Sequence, residues 1–447
     1  MTHDEAKSRL TQLFFSSLKS VLPKTLIPST IHLNKEILSF PDFSIPIRGI
    51  QNIYITGFGK ASSYMAKELE ILLDKRITEG CLVTKYNHVT SLKYIEQIEA
   101  GHPIPDENSG LAAEKILSMV HKATHEDLVI ACVSGGGSAL MALGTEGITL
   151  SDKQLMTSLL LNCGASIGEI NTIRKHLSAV KGGRLEEAVY PASLVSLILS
   201  DVLDNDLSYV ASGPTIHNDA TCQDALKIIH HYELYSKTPL AIRQHLEDKN
   251  HQPLGVHPPL SKNSHTILLA SNESIVNAVL EEGEKLDYQV VPLKYPIKGE
   301  AKQAAKEIAH EIKEWIKSSK SSSNQPVLFI SGGETTVTID VNSGLGGRNQ
   351  ECALAFAIEM KDQEDWFALF AGTDGSDGPT PANGAFCHSD TYHHALTLGL
   401  NPHDHLKHHN SYGFFQKLSS LFVTGPTQTN VNDIILVFYC PKKKITL

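Results

Sequence analysis

Residues 52–62, NIYITGFGKAS, hold a strand, a glycine turn and the entrance to a helix in one stretch. Asn52–Thr56 is a short run rich in β-branched and aromatic residues, the composition of a buried strand. Gly57-Phe58-Gly59-Lys60 follows where the strand hands over to a helix, whose pattern runs to about Leu73. The same order recurs at Leu128–Val133, which meets Ser134-Gly135-Gly136-Gly137-Ser138. It recurs again at Leu194–Leu199, which ends on Ser200-Asp201. Short apolar runs separated by helical stretches predict a parallel sheet covered on both faces.

Further on, the pattern breaks near His257–Ser264, at the Pro258-Pro259 pair, and then restarts. His265–Ala270, Tyr288–Leu293, Val327–Ile330, Phe367–Ala371 and Ile434–Tyr439 read as strands. Asn272–Glu284 and Ala301–Ile316 read as helices, the second with Ala305, Ile308, Ile312 and Trp315 on one face. Ser318–Ser323 reads as a solvated turn. We expect two α/β domains with largely parallel sheets, 1–258 and 264–447. Before them, Leu10, Phe14, Leu18 and Leu22 recur at helical spacing and predict a docked amphipathic helix.

A chain of 447 residues has room for two or three domains. Hydrophobic residues make up 41% and charged residues 20%, which suits a packed globular protein. Lys plus Arg is 39 against 49 Asp plus Glu, a formal charge of −10. That balance leaves no basic footprint for nucleic acid or for an anionic membrane. No apolar run approaches the roughly 18 residues of a transmembrane helix, and the first residues lack a signal core. The seven cysteines are scattered without a CxxC pair, as expected of reduced thiols in the cytoplasm.

Polar motifs collect after strand ends, where open α/β sheets bind ligands. Glycine lets backbone N–H groups approach a phosphate, and a following helix terminus favours negative charge. Gly57, Gly59 and Lys60 form one such loop, though a tight strand–helix turn explains the glycines equally. Ser134, Gly135, Gly136, Gly137 and Ser138 form a second, whose glycine run costs chain entropy and points to close approach by an anion. Asp201, Asp204 and Asp206 are placed either to hold Mg²⁺ or to cap a turn, and Glu334 after VLFIS has the same two readings. Arg174, Lys175 and Lys181 cluster in NTIRKHLSAVKGGR, and Arg348 follows glycines in GLGGRNQE. Arginine can hold a carboxylate or phosphate through two parallel hydrogen bonds; a solvated helix face is the plainer reading of Lys175.

Other chemistries fit less well. Asp374 and Asp377 in GTDGSDGPT lack the spacing of a calcium loop. His388, His393, His394, His403, His405, His408 and His409 have no clean ligand spacing and read as surface helices and loops. Gly136-Gly137-Ser138-Ala139-Leu140 lacks the last glycine of a hydrolase nucleophile elbow. No GxGxxG with an acidic partner about twenty residues on supports a nicotinamide site.

Taken in order, GFGKAS (57–62), GHPIPDENS (101–109), VSGGGSALM (133–141), NTIRKHLSAVKGGRL (171–185), LILSDV (197–202) and ASGPT (211–215) make a set. SGGETTV (331–337), GLGGRNQE (344–351), AGTDGSDGPT (371–380) and TGPTQTNVNDI (424–434) continue it. With these motifs the chain resembles the class II glycerate kinase family from about residue 50 to 440. The resemblance implies a Rossmann-like N-terminal domain, a MOFRL-type C-terminal domain and an active-site cleft between them. It implies ATP-dependent phosphorylation of D-glycerate to 2-phosphoglycerate, with Lys60 and Arg348 matching the family's functional lysine and arginine. On that basis we expect Lys60, Arg348 and Asp201 to be catalytic, with Gly57, Gly59 and Ser134–Ser138 on ATP phosphates. Arg174, Lys181, Glu334 and Asn349 are expected on the substrate, and Asp201, Asp204 or Glu334 on Mg²⁺. Two positions depart from the family pattern: Leu203-Asp204-Asn205-Asp206 stands where a GDD-like run is common, and Asn410 where Asp is frequent. Some relatives carry the name hydroxypyruvate reductase, so an NAD(P)H-dependent reductase is the alternative, with a metabolite-binding regulator as a third reading. The expected partners are D-glycerate and ATP, without nucleic acid or membrane; a homodimer is one arrangement left open.

Overall fold

The computed structural model describes residues 2–203, 206–217, 219–248, 263–318, 325–339 and 343–440. These form two compact units: Pro23–Leu269, and Met1–Leu22 together with Ala270–Leu447. No helix among the described residues is long and apolar enough to cross a membrane.

The first unit opens with a small antiparallel meander, β1 (His32–Asn34), β2 (Ile37–Ser39) and β3 (Ser44–Pro46). Its main sheet contains β4 (Ile53–Phe58), β5 (Ile77–Lys85), β6 (Ile95–Ala100), β7 (Leu128–Ser134), β8 (Ser193–Leu199) and β9 (Ser264–Ala270). They lie in the order β6-β5-β4-β7-β8-β9, and every pairing from β6 to β8 is parallel. β4 and β7 are buried along their whole length, which is why they read as continuous apolar runs. The chain leaves β4 towards β5 and leaves β7 towards β8, on opposite sides. The carboxyl ends of β4 and β7 therefore flank a topological switch point, the place where doubly wound sheets bind ligands.

Helices Leu150–Asn162 and Ile167–His176 follow β7, and Cys222–His231 and Leu240–Glu247 follow β8. They share a separate apolar core of Met156, Leu160, Ile173, Ile229 and Ile242. The strand expected at His265–Ala270 is present as β9, but it extends the first sheet beside β8 instead of opening the second half. The Pro258-Pro259 break and most of the Ser318–Ser323 turn lie outside the described residues.

The second unit holds β10 (Gln289–Pro292), β11 (Ile297–Glu300), β12 (Val327–Thr336), β13 (Trp366–Gly372), β14 (Gly384–His388), β15 (Leu421–Phe422) and β16 (Asp433–Tyr439). The order is β10-β12-β16-β13-β14-β15, with β11 also pairing β12. Here the expectation of a largely parallel sheet is corrected. Only β10 and β11 run parallel to β12; the other neighbours are antiparallel. A strand buried on both faces has the same apolar composition in either direction, so its sequence does not record its sense. β12 also runs on through Ser331-Gly332-Gly333-Glu334, which the sequence reading placed in a loop. Side chains at both glycines would collide, at Gly332 with Asn272 and at Gly333 with the backbone of Ile297. These glycines serve close packing within a strand.

The N-terminal helix, His3–Leu18, is closed by a Thr2–Glu5 capping box and buries Leu10, Leu13 and Phe14 in the second unit. Phe14 meets Phe422 edge to face at 5.1 Å, and Arg9 Nη1 donates to Tyr288 Oη at 3.1 Å.

Candidate active site

In the first unit, the loops after β4 and β7 are stitched together. The Lys60 amide donates to Gly135 O at 2.9 Å, and the Ala61 amide to Ser134 Oγ at 3.0 Å. Gly59 has φ +127°, and any side chain there would strike the Ser134 hydroxyl and carbonyl. Gly136 has φ +84°, and a Cβ on it would stand 3.1 Å from the His102 ring and 3.3 Å from Lys60 Cγ. Lys60 and His102 thus flank the same bare backbone. Gly137 has a different reason: a Cβ there would press on Ala211 at 2.7 Å and on the Phe58 ring at 3.0 Å. Not every glycine in the run is spared for a ligand.

The Ser138 and Ser212 hydroxyls share a hydrogen bond of 2.8 Å, and Ser212 Oγ donates to Asn171 Oδ1 at 3.2 Å. Three sequence motifs, 133–141, 171–185 and 211–215, therefore meet at one point. Ser212 and Ala211 both hold positive φ, at +63° and +51°, so this corner is held in a conformation disfavoured for side chains.

Beside the Ser134–Ser138 loop lies a cavity of about 700 Å³, and Gly136, Ser138, Lys153, Arg174 and Lys181 line it. Lys181 Nζ donates to Met141 O and Lys153 Nζ to Leu143 O, each at 2.8 Å. Burial pushes the Lys181 ammonium well below its ordinary range, helped by nearby Lys153 and Arg174. Lys153 is lowered to about 7 by burial, then by Arg184 and Arg174. Lys153 was not singled out in the sequence, because a lysine in DKQLM reads as helix surface. Lys175 was given to a solvated face, yet it is buried, with its ammonium over the Tyr209 ring at 5.6 Å.

Asp201 follows β8 and is half-buried, and Asp204 lies outside the described residues. Asp206 accepts from the Ser208 amide at 2.9 Å, which makes it a turn residue.

In the second unit, sheet register builds a polar edge. Asp433 pairs across β16 with Gly333 on one side and Gly372 on the other. Arg348, the first residue of the helix Arg348–Glu359, reaches that edge. Its Nε and Nη2 donate to the two Asp433 oxygens at 2.6 and 2.9 Å, and Nη1 donates to Glu334 Oε1 at 2.6 Å. Asn432 Nδ2 donates to the other Glu334 oxygen at 2.8 Å. Burial works to lower the Arg348 pKa, but Asp433 and Glu334 outweigh it and hold the value well above its ordinary range. The side chain is still 34% exposed, and one N–H on each terminal nitrogen is left beyond these bonds.

Arg348 and Glu334, picked separately from the sequence, are thus brought into contact. Asp433 and Asn432 were missed. They close the 424–434 motif, and only the pairing of β16 with β12 shows where they point. Asn349 is buried, and its amide nitrogen lies 3.4 Å from Asp377 Oδ1. Asp377 takes the Asn349 and Gln350 backbone amides at 3.0 and 2.8 Å and so caps that helix from another loop. Side chains on Gly346 and Gly347 would collide with Ser411 and Asp377, so the GLGG run also serves packing.

Of the carboxylates expected on Mg²⁺, Asp201 lies in the first unit and Glu334 in the second, and among the described residues the one group of three or more side chains able to hold a metal ion is His3, His388 and Asp390. The rest of the histidine tract occupies the short helices Thr391–Thr397 and Pro402–Lys407 and the turns beside them. One carboxylate is nonetheless chemically enough for Mg²⁺ that is held mainly by phosphate oxygens and water.

The model of a family described as a domain of unknown function (DUF4147) matches residues 9–247, and the MOFRL family matches residues 327–433. A glycerate 2-kinase of Pyrococcus horikoshii is 38% identical, with 97% of both chains covered. A putative hydroxypyruvate reductase of Agrobacterium vitis is 36% identical over 97% of this chain and 95% of its own. The crystal structure of a glycerate kinase from Thermotoga maritima superposes with a TM-score of 0.83 at 34% identity, covering 98% of this chain and all of that one.

Proposed function

The chain belongs to the family of MOFRL-domain glycerate kinases, and from that premise we infer that it phosphorylates D-glycerate at the 2-hydroxyl with ATP. The observation that carries the reading is the switch point between β4 and β7, where Lys60 flanks the bare backbone of Gly136. Phosphoryl transfer asks the protein for positioning and charge stabilisation more than for covalent chemistry. The glycerate 2-oxygen attacks the γ-phosphorus, the bond to the β–γ bridging oxygen breaks, and ADP leaves. The hydroxyl proton passes to a carboxylate, which we assign to Asp201. Lys60 neutralises charge on the moving phosphoryl group. Gly57, Gly59 and the Ser134–Ser138 loop present backbone to phosphate. Arg348, fixed by Glu334 and Asp433, offers its remaining N–H groups to the glycerate carboxylate, and Asn349 supports the helix that carries it.

Asp201 would hold Mg²⁺ together with phosphate oxygens, and the ion would supply charge neutralisation to the transferred group. Seven free thiols suit a cytoplasmic enzyme. The loop after β4 reads GFGK where a dinucleotide fingerprint has three glycines, which counts against the reductase.

The test is incubation of the protein with Mg-ATP and D-glycerate, followed by ³¹P NMR. We expect 2-phosphoglycerate. A 3-phosphoglycerate signal would overturn the position of transfer. NADH oxidation with hydroxypyruvate, without any phosphorylated product, would overturn the kinase.

A further inference from the structure

We propose that the cavity beside the Ser134–Ser138 loop is the nucleotide pocket, with Lys153, Arg174 and Lys181 facing the phosphates and its apolar wall facing the base. The proposal rests on the kinase reading and places one of its two substrates.

Size comes first. A three-carbon acid would leave most of about 700 Å³ unfilled, whereas pockets of this size bury far larger ligands. The lining is also divided in kind. Leu160 and Ile173 form part of an apolar wall, and Ile104 and Leu161 stand at the mouth, 70% and 59% exposed. An apolar lip on a lining that also carries three cations suits a ligand with a flat apolar end and a multiply charged end. Glycerate has no such division.

The cations point the same way. Lys181 is fully buried and Lys153 nearly so, and each donates a hydrogen bond to a main-chain carbonyl. An ammonium has three donors. Among the described residues, burial acts on Lys153, Arg174 and Lys181 and neighbouring cations on the two lysines, and no carboxylate is paired with them. Burial and mutual repulsion disfavour the charged forms of these amines, and a polyanion bound beside them would favour those forms again. Gly136 and Ser138 lie on the same lining, so phosphates held by these cations abut the backbone that Lys60 flanks.

The proposal is tested by calorimetric titration with AMP-PNP and with inorganic tripolyphosphate, alongside KM values for ATP and D-glycerate. Replacing the exposed lip, Ile104→Ser with Leu161→Ser, leaves the core intact. It should weaken AMP-PNP by roughly tenfold and leave tripolyphosphate within about twofold. Arg174→Gln should weaken both probes by roughly tenfold or more while the KM for D-glycerate stays within about twofold. An unchanged AMP-PNP affinity in the folded lip variant would overturn the placement. So would an Arg174→Gln enzyme that loses D-glycerate affinity and keeps AMP-PNP. The kinase reading is judged apart, by product formation in the unaltered protein. If that fails while AMP-PNP still depends on the lip, the pocket stands and the kinase does not.

Discussion

At the scale of single residues, Lys60 is the sharpest assignment, because its position follows from a backbone constraint. Gly136 cannot carry a side chain without pressing on Lys60 and His102, so the lysine is held against bare peptide. Lys60→Ala should lower turnover by roughly two to four orders of magnitude, as loss of a transition-state charge partner does, with an unchanged melting temperature. Near-normal turnover would remove Lys60 from the mechanism. Gly59→Ala should act the other way, costing about 3 kcal/mol of stability through positive φ and collision with Ser134, read from the urea midpoint. Lys153 makes a pH prediction. Its folded value of about 7 lies below the ordinary 10.5, through burial first and then Arg184 and Arg174. Between those values the unfolded chain holds more protons than the fold. The cost of burying the charge is therefore present in full below pH 7 and fades as pH climbs towards about 10. Urea midpoints from pH 7 to 9.5 should rise more in the unaltered protein than in Lys153→Met; parallel slopes would contradict the assignment. Lys60 and Arg348 stand out in the sequence because glycines crowd them. Lys153 does not, because nothing in a helical lysine announces burial.

At the scale of elements, what the sequence recorded was apolar runs and their punctuation. It located β4, β7 and β8 and the loops that follow them. It misjudged β12, because two glycines look like a loop when they are in fact the narrow places of a strand packed on Asn272 and β11. The helix Arg348–Glu359 shows a second blind spot. Its own sequence has no side-chain cap, since Gly347 precedes it. The cap arrives from 29 positions downstream of Arg348, as the Asp377 carboxylate taking two backbone amides and the Gln350 amide group at 2.9 Å. Without that carboxylate, buried amides at the helix start lose their acceptor. Asp377→Ala should cost about 2–4 kcal/mol, more than an exposed cap, because the orphaned donors stay away from water. The helix start also aims Arg348, so the same variant should raise the KM for D-glycerate before stability fails. A variant with full stability but altered KM would show that Asp377 acts on the ligand and does not serve as a cap.

For the whole molecule, chain order and spatial grouping disagree at both ends of the first unit. The strand after the break, β9, stays with the first sheet, and the chain's opening helix belongs with the second unit. Helical spacing at Leu10, Phe14 and Leu18 correctly indicated an amphipathic helix, but periodicity names a buried face without naming its partner. The partner is set by shape: Phe14 on Phe422, Lys7 over the Phe386 ring at 5.2 Å, and Thr429 Oγ1 donating to Val21 O at 2.7 Å. These contacts also brace the loop that ends in Asn432 and Asp433, hence the carboxylates around Arg348. Removing Thr2–Leu22 should therefore loosen the second unit and spare the first, although those residues adjoin the first unit in sequence. Hydrogen exchange should quicken in Asn272–Lys285, in β13 and in the 424–434 loop, with β4 and β7 unchanged. The bare backbone around Gly136 would survive while the Arg348 cluster frays, so kcat/KM for D-glycerate should fall more steeply than affinity for AMP-PNP. Faster exchange in β4 and β7, with a quiet second unit, would assign the opening helix to the wrong half of the molecule.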